Sequence, residues 1–137
     1  MSDQPAPHEQ PESAPSYDVT SSSNPLSPSD ERLWATLVHL SPFVAALVGL
    51  PFLGPLVIYL VLRDRGPFIR FHAAQALNFQ LILVIGYIVF GLLSLVLIGI
   101  PFLIATAIAS VVFQIIAAVK ANNGEWYRYP LTPEWVK

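Results

Sequence analysis

Hydrophobic positions along this chain form long runs that charged residues do not interrupt. There is no Asp, Glu, Lys or Arg between residues 33 and 62, and again none between residues 71 and 119. A helix of about 18 or more apolar residues is long enough to cross the hydrocarbon core of a bilayer. The pattern therefore predicts an all-α integral membrane protein, a helical bundle rather than a soluble domain.

Prolines and glycines divide these runs into shorter elements. Ser27 is a suitable N-cap with Pro28 at the first helical position and Asp30 near the positive end of the helix. Residues 49–55 contain two prolines and two glycines, which break the backbone hydrogen bonds of a helix, and residues 99–101 form a second uncharged turn. We predict about four helices in two hairpins, the second helix short or partly re-entrant, at about 30–49, 53–63, 72–98 and 101–121.

A three-span alternative treats residues 33–62 as one kinked, tilted helix, which would place the N-terminal tail on the opposite side of the membrane. In the hairpin arrangement all charged segments lie on one face, and the Arg-rich loop at 63–70 assigns that face to the cytoplasm. The hairpin arrangement thus predicts a multi-pass protein of the cell membrane with both termini cytoplasmic. Charge alone leaves both arrangements open.

The N-terminal tail has a different composition from the rest of the chain. Residues 1–28 are rich in Pro, Ser and acidic residues, and the first Lys or Arg is Arg32. Such a segment cannot bury a hydrophobic core, so we predict a disordered tail over 1–28 and a transmembrane helical domain over 29–137.

Composition excludes several classes of protein. The chain is 54% hydrophobic and 12% charged, with a net charge of -2, so it offers no basic surface for nucleic acid. It has no Cys, which removes disulfides, thiolate nucleophiles and thiol metal sites. No phosphate-binding loop, serine triad, zinc signature or dinucleotide fingerprint is present. We therefore predict a protein that is not an enzyme, without catalytic residues, cofactor or metal.

Polar side chains inside the apolar runs are the candidate functional residues. His39, Asn78 and Gln114 each lie about two helical turns from a charged boundary, so the hairpin arrangement brings them to similar depth. With Gln80 they form a candidate intramembrane cluster whose members can hydrogen-bond one another. Such bonds most often hold helices together; lining a polar path for a substrate is the alternative. His39 and His72 lack the third ligand that a metal would need.

Cationic and aromatic residues at the ends of the runs are typical of the membrane–water interface. The predicted interfacial anchors are Arg63, Arg65, Arg70, Lys120, Trp126, Tyr127 and Arg128.

Several short motifs occur in an order known from one family. They are Gly54-Pro55-Leu56, Arg63-Asp64, Pro67-Phe68, His72, Ala76-Leu77-Asn78-Phe79-Gln80 and the stretch 118–130. In these the chain resembles small bacterial membrane proteins related to the chloroplast inner-envelope import component Tic-twenty. The resemblance covers about residues 31–137 and implies an integral membrane protein of about four helices.

Two functions are compatible with these observations. The first is a noncatalytic subunit or scaffold of a membrane complex, in contact with the lipid bilayer and with other membrane proteins or with copies of itself. The alternative, implied by the resemblance, is an oligomeric protein-translocation or channel component. Reconstituted pure protein would conduct ions or peptides only in the second case.

Overall fold

The computed structural model describes residues 24–137, which form helices joined by short turns. The helices are α1 (Pro28–Ala45, continued by a 3-10 turn over Ala46–Val48), α2 (Leu53–Leu62), α3 (Pro67–Leu93, continued by a 3-10 turn over Ser94–Val96) and α4 (Gly99–Asn122). Within this range there is no strand, so the predicted all-α class is confirmed. Residues 1–23 of the predicted tail lie outside the described range.

Helices α1 and α2 form the first hairpin. Gly49 ends α1 in the left-handed conformation, with φ 78°. A Cβ on Gly54 would lie 2.6 Å from the Ser41 hydroxyl, so the glycine allows α2 to lie directly against α1. At the other end of the hairpin, the amide of Leu26 donates to the carbonyl of Arg65 at 2.7 Å. The chain therefore reverses after α1, and the single kinked helix of the three-span alternative is wrong.

Helix α3 begins at Pro67, five residues before the predicted start at residue 72. A contact between α1 and the start of α3 stabilises these additional residues. The Glu31 carboxylate of α1 accepts hydrogen bonds from the amides of Phe68 at 2.9 Å and Ile69 at 3.1 Å. A carboxylate at the positive end of a helix satisfies amides that have no partner within the helix. This cap comes from 37 residues away and has no local sequence signal.

Helices α3 and α4 form the second hairpin, and α4 also packs against α1. The turn passes through Leu97 in the left-handed conformation, with φ 65°. Next to the turn, the rings of Phe90 and Phe102 stack with centroids 5.3 Å apart. Gly99 lies so close to the backbone of α3 that a Cβ would collide with the carbonyl oxygen of Phe90.

The exterior of the two long helices is apolar and exposed. Pro67–Val96 and Gly99–Asn122 are long and apolar enough to cross a membrane, yet only 17% and 22% of their most apolar windows are buried. The core helix of a soluble protein would bury most of such a window. Helix α2, with ten residues, is too short to cross alone.

Charged residues gather at one end of the bundle, where α1 begins and α4 ends. Residues 125–137 form a segment without regular secondary structure there, with a turn at 130–131; we call it the C-terminal strap, and it folds back over the interior of the bundle. Its Tyr129 is only 3% exposed and packs with Phe79, Leu83 and Ala117 of α3 and α4. The turns of the two hairpins, both uncharged, lie away from this end.

Candidate functional site

A chain of hydrogen bonds runs through the interior beneath the C-terminal strap. His39 of α1 and His72 of α3 are fully buried, and their Nε2 and Nδ1 atoms lie 2.9 Å apart. The other nitrogen of His39 is 2.8 Å from the Tyr129 hydroxyl. The other nitrogen of His72 is 2.9 Å from the backbone oxygen of Glu125. These hydrogen bonds thus connect α1 and α3 with the strap at two points, Glu125 and Tyr129.

The direction of these bonds follows from the chemistry of the partners. A carbonyl oxygen only accepts, so Nε2 of His72 carries a hydrogen and donates to Glu125. With neutral imidazoles, Nδ1 of His72 then accepts from Nε2 of His39, and Nδ1 of His39 accepts from the Tyr129 hydroxyl. Every ring nitrogen has one partner, so one continuous line of hydrogen bonds runs from the Tyr129 hydroxyl to the Glu125 carbonyl.

Tyr129 is held as a neutral donor by its surroundings. Its ring stacks on Phe79 with centroids 4.0 Å apart and an interplanar angle of 6°. Burial, and secondly the neighbouring Tyr127, raises the pKa of the Tyr129 phenol well above its ordinary value. The phenol therefore keeps its proton and donates to His39.

Side chains of the helices hold the strap. The Asn78 side chain donates to the Val136 carbonyl at 2.8 Å and accepts from the Val136 amide at 2.7 Å. Gln75 donates to the Glu134 carboxylate at 3.1 Å, and the Tyr59 hydroxyl donates to the Lys137 carbonyl. In the described part of the chain, residues 126–137 make no backbone–backbone hydrogen bond to a helix. The strap is therefore attached through side chains rather than by a sheet or a helix.

A second polar pair lies further from the charged end. Gln80 donates to the Gln114 side-chain oxygen at 3.1 Å, and Gln114 donates to the Ser110 carbonyl at 3.0 Å. This pair borders a crevice of about 210 Å³ between α1, α3 and α4.

The four candidate cluster residues are all buried in the bundle, but they do not form one hydrogen-bonded group. Gln80 and Gln114 bond to each other, whereas His39 bonds to His72 and Tyr129, and Asn78 bonds to the strap. Sequence reasoning missed the strap as a partner because an extended segment without periodicity gives no signal of where it folds back. The run of aromatic residues at 126–129 was the only indication that the segment has apolar side chains to bury.

The three arginine anchors at the end of α2 and the start of α3 make contacts at the charged end. Arg63 pairs with Asp64 at 3.6 Å and lies over the ring of Tyr59 at 5.5 Å. Arg65 donates to the Asn24 carbonyl at 2.9 Å. Arg70 of α3 donates to the Lys137 carbonyl at 3.5 Å.

The anchors near the end of α4 attach the strap to the bundle. Lys120 pairs with Glu125 at 2.7 Å, and this hydrogen bond lowers the pKa of the Glu125 carboxyl. Arg128 forms an ion pair with Glu134 and lies 5.5 Å from the Phe71 ring. The remaining two aromatic anchors make edge contacts, Trp126 with Phe68 and Phe71, and Tyr127 with Tyr129.

Residues 24–137 contain no group of three or more His, Cys, Asp or Glu side chains that could hold a metal ion. The nitrogens of the two histidines face one another, a phenol and a carbonyl, and so form a hydrogen-bonded link between helices and strap.

An apolar exterior, charges at one end and a hydrogen-bonded interior define a small helical membrane protein. Residues 30–136 match the MamF/MmsF family, described as a magnetosome magnetite crystal formation protein family. The chain belongs to this family. No curated protein and no solved structure matches the chain.

The predicted relationship to Tic-twenty is wrong, since the family that matches is a different one. The motifs behind it are short, and a polar break between apolar helices or a Gly-Pro turn is common to many small membrane proteins. These motifs are typical of the hairpin architecture and do not indicate common ancestry with Tic-twenty. The translocation role that the resemblance implied loses its support with this correction.

Proposed function

We propose that this chain is a noncatalytic protein of the magnetosome membrane that supports magnetite crystal formation by packing against other membrane proteins. The family description supports both the process and the magnetosome membrane as the compartment proposed here. The observation that supports this proposal is that the buried polar side chains are hydrogen-bonded within the protein, whereas the exterior is apolar and exposed.

The interior supports a structural rather than a catalytic role. His39, His72 and Asn78 are buried and have their hydrogen bonds within the protein. A catalytic acid or base must reach a substrate, and these groups face one another or the strap. The exterior supports association with neighbours in the bilayer, because helices such as α4 present side chains like Ile108, which is 61% exposed.

Complementation in a magnetite-forming host tests this function. A strain lacking the protein should form altered crystals, and the wild-type chain should restore them. The double variant Gln80→Leu/Gln114→Leu should also restore them, because replacing both partners of a buried hydrogen bond by apolar groups is nearly neutral. Ala117→Leu should fail, since Ala117 is fully buried between helices and a larger side chain overpacks the core.

Val119→Leu is the matched control for packing, because Val119 is 55% exposed on the same helix. Ile108→Cys, in a chain without native cysteine, should crosslink to another membrane protein in isolated magnetosomes. Normal crystals in the deletion strain would refute the proposal. A folded double Gln variant that fails to restore crystals would show that the amides act directly.

A further inference from the structure

The two hairpins reach to different depths from the charged end. Near its tip the first hairpin borders the 210 Å³ crevice together with Tyr87 of α3 and Ala107 of α4. Beyond this level α3 and its 3-10 turn continue for nine more residues, to Val96. At 1.5 Å per residue the second hairpin therefore extends about 14 Å past the first.

The outer part of the second hairpin carries exposed apolar side chains on both of its helices. Ile88 and Leu92 of α3 are 59% and 65% exposed, and Ile104 of α4 is 56% exposed. A bilayer core is about 30 Å thick, and the 24 residues of α4 span about 36 Å, so the second hairpin is long enough to cross it. The first hairpin then ends inside the hydrocarbon.

The turn of the first hairpin is suited to lie in hydrocarbon. Residues 49–55 carry no polar side chain, and Pro51 and Pro55 have no amide hydrogen to satisfy. Gly49 and Leu50 donate their amides to carbonyls at the end of α1, at 2.9 and 3.3 Å. Unsatisfied amides are costly in lipid, so a turn with few free donors can remain there without reaching water.

The protein is consequently wider in one leaflet than in the other. Four helices and the strap lie toward the charged end of the bilayer, whereas beyond the tip of the first hairpin the far side contains only α3 and α4. Each helix with its side chains is about 10 Å across, so the two extra helices occupy roughly 200 Å² more toward the charged end than at the far side.

We propose that this shape makes the chain a membrane wedge whose partner is a curved lipid bilayer, convex on the face at the charged end. Adding cross-section to one leaflet alone spreads its lipids relative to the opposite leaflet. In a flat bilayer this creates a mismatch under the first hairpin, whereas in a convex leaflet the headgroups are already further apart. The protein should therefore favour small vesicles, with its charged end outward.

Depth measurements test the geometry. Leu47→Cys at the tip of the first hairpin and Leu95→Cys at the tip of the second are matched reporters, since the two leucines are 86% and 82% exposed. Spin-labelled full-length protein is placed in phosphatidylcholine–phosphatidylglycerol vesicles. The label at residue 47 should collide with oxygen and be shielded from a water-soluble nickel chelate. The label at residue 95 should collide with the chelate several-fold more often. Equal accessibility at both positions would overturn the proposal.

Partition measurements test the preference for curvature. The same purified protein is reconstituted into vesicles of one lipid composition, about 30 nm or about 200 nm in diameter. We expect several-fold more protein per lipid in the small vesicles. Asp64→Cys, at an exposed loop of the charged end, should react with a membrane-impermeant maleimide in most molecules in small vesicles and in about half in large ones.

Equal density and equal orientation in both vesicle sizes would overturn the wedge. A second copy that fills the far leaflet would also overturn it. This would be detected as crosslinking between Leu92→Cys chains together with no preference for curvature. Both tests use purified protein and lipid, so their outcome is independent of the proposed role in crystal formation.

Discussion

Individual buried polar residues determine how the strap is held. Asn78 makes two hydrogen bonds to the backbone of one residue, and His39 receives the phenol of another. Both contacts connect positions at least 58 residues apart in sequence. Substituting one of these residues should therefore change the free energy of unfolding of the whole protein.

Replacing Asn78 by Leu should lower the free energy of unfolding in detergent by about 1 to 2 kcal/mol, because a hydrogen-bonding amide is lost within the bundle and Val136 loses its partner. Exchange of the Val136 amide hydrogen should also become faster. Asn122→Leu makes the same chemical change at an exposed position and is the control. Unchanged stability and unchanged exchange would mean that the strap is held without Asn78.

Tyr129 should ionise at a higher pH than ordinary tyrosines. Burial raises its pKa, so the folded state keeps the phenol protonated above about pH 10, where the unfolded chain loses it. Stability from this contact is therefore complete below the ordinary tyrosine pKa and is lost as pH rises toward the raised value. An absorbance titration of tyrosinate should show a late step that Tyr129→Phe abolishes. Coincident titration of all tyrosines in folded protein would contradict the burial.

The helices of this protein are positioned by close contacts with other helices as well as by the hydrophobic periodicity of their own sequences. The first hairpin closes where Gly54 faces Ser41, and α3 begins where Glu31 of another helix caps it. The apolar pattern predicted that the helices exist and roughly where they turn. The predicted start of α3 at residue 72 missed Pro67, which stands at the first helical position, and the capping carboxylate itself is remote in sequence.

Gly54→Ala should destabilise the first hairpin by about 1 to 3 kcal/mol, since the new methyl group would overlap Ser41. Gly91→Ala in α3 is the matched control. A Cβ there meets nothing within 4 Å, so the change should be neutral or stabilising by up to about 1 kcal/mol. Thermal unfolding in detergent distinguishes the two. Equal effects would indicate that α1 and α2 do not touch at this position.

In the whole molecule, every charged segment of the described range lies at one end. The charge pattern further predicts that this end faces the cytoplasm. Asp64→Cys and Asn123→Cys should therefore react equally with an impermeant maleimide added to intact isolated magnetosomes, whereas Leu95→Cys should be protected. Reaction of only one of the two charged-end cysteines would place the loop and the end of α4 on opposite sides.

The general architecture was predictable because charge-free runs and Pro-Gly breaks are local signals. Four helices, two hairpins and the N-cap at Ser27 follow from them and are found. The polar site was only partly predictable. Gln80 and Gln114 bond to each other, but the partner of His39 depends on a strap whose path is set by tertiary packing. Short motifs likewise identified the architecture but the wrong family.

The contact of Glu31 with α3 has a consequence for the order of assembly. Ribosomes deliver the chain from its N-terminus, so the carboxylate that caps α3 is already present when Phe68 and Ile69 emerge. Cutting the gene between residues 62 and 67 and supplying the second piece first would leave these amides exposed during insertion. Co-expressed halves should therefore assemble efficiently only when the α1–α2 piece is available before the α3–α4 piece.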